Sequence, residues 1–224
     1  MRIVLILFAL LWSFHVQANS RVHVVELFTS QGCSSCPPAD AFLGELALRP
    51  DVLALAYHVD YWDYIGWKDI YAKSEFSDRQ RQYARQFELR YVYTPQMIVD
   101  GTYQDSGNRR RNIVRAIGQG NTPGVDVSLV VRDGSLHIKS NHNDHAEVFY
   151  VRYLKETETK VRRGENRGKT LTDYHIVTDL VPIGKWSGGP AQFDLTNRRL
   201  KENQGHAIFL QRTSDMKIIA VLKL

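Results

Sequence analysis

The tightest constraint on this chain is the run Val24-Val25-Glu26-Leu27-Phe28-Thr29-Ser30-Gln31-Gly32-Cys33-Ser34-Ser35-Cys36-Pro37-Pro38-Ala39-Asp40. An apolar strand leads into a glycine turn, then a Cys-x-x-Cys, then a helix start carrying proline in its first turn. Cys33 and Cys36 are the only cysteines in the chain. At positions i and i+3 of a helix start they close a ring with little backbone movement, so the pair is placed to make and break a disulfide. The unpaired amides of the helix N-terminus favour a thiolate at Cys33. Such placement lowers a thiol pKa from about 8.5 into the range of roughly 3.5–7.5. Cys33 is the expected nucleophile, and Cys36, deeper in the first turn, is expected to resolve the mixed disulfide. An inert stabilising bridge is the competing reading, and a weak one, because so short a loop removes little unfolded-chain entropy.

The chain begins like an exported protein. Arg2 precedes an apolar run from Ile3 to Phe14, and Val16-Gln17-Ala18 supplies a small-residue cleavage site. Residues 1–18 therefore read as a signal peptide. The apolar run falls short of the roughly 20 residues a membrane span needs; a retained N-terminal anchor is the alternative. No later segment approaches spanning length, so no stable membrane span is expected after cleavage. The expected location is periplasmic or secreted, where disulfides persist. Residues 19–122 hold 12 Lys/Arg against 12 Asp/Glu, whereas residues 123–224 hold 16 against 12. That surplus reads as a solvated basic face, since no motif supports nucleic-acid binding. With only two cysteines there is no disulfide scaffold, and the fold must stand on its core.

In the first half, apolar runs alternate with helical patterns. Strands are predicted at Val22–Phe28, Val52–Val59 and Gln96–Val99, the last turning at Asp100-Gly101 into Thr102–Asp105. Helices are predicted at Pro37–Leu48, Ser74–Leu89 and Arg109–Gln119. In the second helix Phe76, Tyr83, Ala84 and Phe87 form a stripe that Gln80 interrupts. Turn residues at 121–124 read as a linker between a first unit, 19–120, and a second, 125–224. Beyond the linker the pattern has period two, with strand candidates at Val125–Val131, Leu136–Ile138, Val148–Leu154, Tyr174–Leu180, Ala191–Leu195, His206–Gln211 and Lys217–Leu224. Strands at this spacing suggest a β-sandwich of about 100 residues.

The Cys pair, the later Thr94-Pro95 and the element order together resemble the thioredoxin superfamily over about residues 22–119. Phe28 to Cys36 resembles the active-site turn of glutaredoxins, and Thr94 to Gly101 resembles the cis-proline strand and hairpin of the superfamily. The phrases Glu26 to Cys33 and Tyr57-His58-Val59-Asp60-Tyr61-Trp62-Asp63 are similar to an uncharacterised family of secreted bacterial proteins, the domain of unknown function 1223 family. The resemblance implies an α/β thioredoxin-like domain followed by an all-β, sandwich-like domain. It implies a cis Pro95 packed beside the cysteines, with the Thr94 backbone pairing an extended substrate strand. Two departures stand. Ser34-Ser35 is neither the Gly-Pro of thioredoxins nor the Pro-Tyr of many glutaredoxins, and the second half matches no standard dimerisation domain.

Other residues carry two readings each. Glu26 interrupts an apolar strand, either as a buried proton relay to Cys36 or as a strand-end carboxylate reaching solvent. His58 either tunes the thiols or is a satisfied core histidine. Trp62 and Trp67 either rim the site for a protein substrate or pack beneath their loop. Arg162 to Lys169 reads as a solvated hairpin tip, and Arg109-Arg110-Arg111 opens a helix where cations oppose the dipole. The leading expectation is an exported thiol–disulfide oxidoreductase acting on protein thiols, with an unidentified redox partner and no cofactor or resident metal. The alternative is a copper(I)-binding or copper-delivery module, in which two soft thiolates and His58 form the site. A third reading leaves the work to the β half, with a vestigial Cys pair.

Overall fold

The computed structural model describes residues 22–119, 127–196 and 203–224. The expected signal peptide, 1–18, and the expected linker, 121–124, lie outside the described residues. The most apolar runs become the central strands. β1 (His23–Thr29) and β2 (Val52–His58) pair in parallel, from His23 opposite Val52 to Thr29 opposite His58. Every residue of β2 is buried, as an apolar run covered on both faces requires. β3 (Gln96–Val99) runs antiparallel to β1, and β4 (Tyr103–Ser106) forms the hairpin with β3. Three helices lie in the first half: α1 (Pro37–Ala47), α2 (Ser74–Gln86) and α3 (Arg110–Gly118).

The second half contributes β5 (Val127–Arg132), β6 (Ser135–Ser140), β7 (Ala146–Lys160), β8 (Thr170–Trp186), β9 (Ala191–Asp194), β10 (Gln204–Arg212) and β11 (Ile218–Lys223). The fold is mixed α/β, with one large mixed sheet. Its eight strands run in the order β11-β10-β7-β8-β2-β1-β3-β4, and β5, β6 and β9 form a separate three-stranded sheet. Where the strand spacing predicts a self-contained sandwich, four strands of the second half instead extend the sheet of the first. The join is a parallel contact of β8 with β2 at Ile176 and Ala56. β7 and β8 are long, 15 and 17 residues. Their distal ends alternate polar residues such as Glu156, Thr157, Glu158 and Thr159, so the apolar pattern alone stops short of their true length.

Three apolar clusters fill the layers. On one face of the large sheet, α2 packs Phe76 and Tyr83 against Phe28, Leu55, Tyr57, Val151 and Phe209. On the other, α1 and α3 pack Phe42, Leu43, Leu46, Ile113 and Ile117 against Val25, Leu27, Ala54 and Ala56. The small sheet covers the rest: Leu136 and Ile138 meet Val148, Tyr150, Trp186, Ile208 and Leu210. The second half is thus layered like a sandwich while sharing a sheet with the first. Among the described residues no helix is long and apolar enough to cross a membrane.

Strand pleating sorts the polar groups between these faces. Val25 and Leu27 face α1, so Glu26, between them, faces α2. There its carboxylate is fully buried and receives a fork from Arg79, Nε to Oε1 at 2.7 Å and Nη2 to Oε2 at 3.1 Å. The Tyr83 hydroxyl also donates to it. Arg79 reaches Gln211 of β10 at 3.0 Å. The rings of Tyr57, Tyr83, Phe149 and Phe209 stand 5.1–5.7 Å from its guanidinium carbon. Glu26→Ala strands that guanidinium in an aromatic enclosure, so urea unfolding should show a loss of about 3–5 kcal/mol. Arg79→Lys, which cannot make the fork, should also lower the unfolding midpoint.

Candidate functional site

The turn after β1 is wound tightly by its own backbone. Cys33 N–H donates to Ser30 O at 3.1 Å, Gly32 N–H to Ser30 Oγ at 3.0 Å, and Cys36 N–H to Cys33 O at 3.3 Å. Cys36 stands at the N-cap of α1, followed by two prolines whose missing amides would have no intrahelical partner there. Cys33 and Cys36 form a disulfide, with their Cα atoms 5.5 Å apart. Neither cysteine has exposed surface, whereas Ser34 and Ser35 between them are exposed.

Residues flanking the turn come from three later segments. The Trp62 indole N–H donates to Thr94 Oγ1 at 2.7 Å, and Trp62 lies against Gly32, where a Cβ would approach it to 3.1 Å. The Thr94–Pro95 peptide is cis. A Cβ on Gly107 would stand 2.8 Å from Ala39 and 3.3 Å from Pro95, so this glycine lets the proline segment close on the first turn of α1. Asn108 then donates to Ser35 O at 3.0 Å. Thr94 and Pro95 are therefore gathered with the cysteines. Trp62 and Trp67 turn their N–H groups inward, the latter to Gln31 Oε1 at 3.2 Å.

A cluster of four ionisable side chains lies behind the turn. Thr29 and His58 end β1 and β2 opposite each other, and pleating puts His58 on the α1 side with Ala54 and Ala56. Its Nδ1 is 2.7 Å from Asp69, which also accepts the Gln31 N–H at 2.8 Å. The Gln31 side chain donates to Asp173 of β8 at 2.7 Å. Asp40 lies one helical turn beyond Cys36 and on the same face, because residues four apart superpose. All four groups are buried.

Their charges are interdependent. Burial, reinforced by repulsion from Asp173, pushes the Asp40 carboxyl up to about 7. Burial opposes a charge on His58, but Asp69, with help from Asp173 and Asp40, outweighs it and lifts the imidazole to about 9. Asp69 is held below its ordinary value because His58 outweighs its burial, whereas burial raises Asp173. At neutral pH the cluster thus holds an imidazolium, and a carboxyl poised to give or take a proton. The buried His58 Nε2 makes no hydrogen bond.

Of the residues singled out by sequence, Cys33, Cys36, Thr94, Pro95 and His58 converge here. Glu26 lies on the opposite face of the sheet, engaged by Arg79. Sequence reading missed Gln31, Asp40, Asp69, Asn166 and Asp173. Asp40 carried one signal, its i+4 spacing from Cys36, and Gln31 lay within the quoted turn without a chemical signal of its own; Asp69, Asn166 and Asp173 carried none, being distant along the chain. Among the described residues no group of three or more His, Cys, Asp or Glu is arranged to hold a metal ion.

Asp40 and His58 both bind protons more tightly folded than unfolded. The stability each adds is complete below its unfolded value and drains away as pH rises to its folded one. For Asp40 that window runs from 3.8 to about 7, and for His58 from 6.5 to about 9. Thermal melts should therefore show a falling midpoint from pH 5 to pH 9, and Asp40→Asn should flatten the part below pH 7.

The profile of the family described as "Protein of unknown function (DUF1223)" matches residues 24–211. A crystal structure of an Agrobacterium tumefaciens protein shares 33% identity, with a TM-score of 0.78, over 92% of this chain and 96% of that one. HBP35 of Porphyromonas gingivalis aligns with a TM-score of 0.55 at 12% identity, over 91% of this chain and 74% of that one, a likeness of fold. No curated protein matches the chain.

Proposed function

We propose that the chain, which belongs to the DUF1223 family, is an exported thiol–disulfide oxidoreductase acting on protein thiols and disulfides. In this reading residues 22–119 serve as a thioredoxin-like unit and the later strands as its β-rich extension. The observation that carries it is the Cys33–Cys36 bridge at the N-terminal end of α1, with the titratable Asp40 one turn behind. A carboxyl buried one turn behind the bridge and poised near neutrality suits proton exchange with a thiol.

Acting as an oxidant, the protein receives a partner thiolate on Cys33 Sγ. The Cys33–Cys36 bond breaks as the mixed disulfide forms, and the bonding pair leaves on Cys36 Sγ. Asp40, protonated below about pH 7, supplies the proton that makes Cys36 a neutral thiol. A second thiolate of the partner then attacks the mixed disulfide, releasing Cys33 as a thiolate that the amides at the α1 start stabilise. The partner gains one disulfide and the protein two thiols. Reduction of a partner disulfide runs the same steps backwards, Asp40 taking the Cys36 proton. His58, held as a cation by Asp69, sets how readily Asp40 ionises.

Turnover of a reduced or oxidised model protein by wild type, lost in Cys33→Ser, is the expected result. Full activity in Cys33→Ser overturns the mechanism. The Cys33–Cys36 couple, titrated in glutathione buffers, should lie above the roughly −300 mV that marks stable structural bridges. Asp40→Asn should remove the limb centred near pH 7, the alkaline limb when a partner is oxidised and the acidic limb when one is reduced, while leaving the disulfide formed.

A further inference from the structure

The turn joining β7 to β8, residues 161–169, closes over the cysteine turn from the second half of the chain. Its base is fixed by Gly168 N–H to Val161 O and Val161 N–H to Lys169 O, both 2.9 Å. Gly164, at φ +75°, rests on Trp67 and Ile65; a Cβ there would come within 3.2 Å of Trp67. The side chain of Asn166 is fully used. Its amide donates to Gln31 O at 3.0 Å and Cys33 O at 2.9 Å, while its carbonyl accepts Lys169 Nζ at 2.9 Å. Asn166 is completely buried by these contacts. Beside it, the exposed Glu165 carboxylate accepts Ser34 N–H at 3.0 Å.

This arrangement presents a contradiction for any exchange chemistry. An attacking sulfur must reach Cys33 Sγ, yet Cys33 has no exposed surface. The segment gripping its turn is held mainly by polar contacts to Gln31, Cys33 and Ser34, and its remaining side chains, Arg162, Arg163 and Arg167, stand in solvent. A segment with few buried apolar contacts opens at low cost compared with the strands that carry it.

The geometry points to the β7–β8 turn as a cover that closes on the Cys33–Cys36 disulfide, with Asn166 as its latch, and must lift before a thiol reaches Cys33. Its tip swings between Gly164 and Gly168, the two positions with left-handed backbone. Opening exchanges the amide bonds of Asn166 and the Glu165 bond for water. Asn166 is thus a positioning residue that sets access to the sulfur. The proposal takes its purpose from the oxidoreductase reading, but its test does not depend on that reading.

The test is the rate at which dithiothreitol reduces the disulfide, followed by acid quench and mass-tagging of free thiols. The dithiol gives up two electrons and two protons, becoming a cyclic disulfide while Cys33 and Cys36 become thiols. Asn166→Ala, which removes both latch bonds, should accelerate reduction by roughly tenfold. Glu165→Ala combined with Lys169→Ala loosens the cover from its solvent side and should accelerate it by about threefold; this variant decides the matter if Asn166→Ala fails to fold. Ile138→Val, in the core beneath the small sheet, controls for lost global stability and should leave the rate within about twofold of wild type. An unchanged rate in a folded latch variant overturns the proposal, as does equal acceleration in Ile138→Val. A protein that shows the gating but turns over no protein disulfide keeps the cover and loses the enzyme.

Discussion

The placement of one buried guanidinium constrains the whole molecule. Arg79 sits on α2, takes its counter-charge from Glu26 on β1, and hydrogen-bonds Gln211 on β10. Those three residues span both halves of the chain. A charge out of water is tolerated only if it is paired and its remaining donors are met. The fork to Glu26, the Gln211 oxygen and four surrounding rings meet that demand only when α2, β1 and β10 are all in place. Apolar packing alone would tolerate several arrangements of these elements; the fork selects one. The continuous sheet follows, since fixing β10 fixes β7 through its long ladder and β8 through β7.

This explains which parts of the fold could be read from sequence. β1, β2 and β3 are mostly apolar and buried, and α1 has its prolines and its glycine turn, so their positions were plain within a residue or two. α2 was harder to read because Gln80 breaks its stripe and Arg79 stands beside it. Both are in fact buried, and Gln80 is so because it bonds Tyr93 O, Gln96 and Tyr61. A polar residue with every partner supplied packs like an apolar one, but its partners are invisible until the chain has folded. The same blindness affected β7 and β8. Their central apolar stretches, which include the Ile176 that meets β2, were legible, and their polar extensions were not.

The candidate site divides along the same line. Cys33 and Cys36 were recognisable from their spacing at a helix start, and Thr94 and Pro95 from the resemblance to the thioredoxin superfamily. Asp173 and Asn166 lie more than 130 residues from Gln31, to which both bind. Asp40 occupies the first turn of α1, where an acid ordinarily complements the helix dipole; here it is buried and lies near Asp173 of β8 and His58 at the end of β2. The site is therefore a property of the joined halves, with the thiol pair from one and part of its electrostatic setting from the other.

The insertion of β8 beside β2 also has a temporal consequence. β2 ends at His58, and its neighbour on that side is centred on Ile176. More than a hundred residues must leave the ribosome before that edge is covered, and β10, which supplies Gln211, comes later still. Contacts so far apart in sequence form slowly, and an unpaired strand edge invites other chains until they do. During that interval the cysteine turn has neither its bond from Asn166 nor the Asp173 carboxylate that holds Gln31.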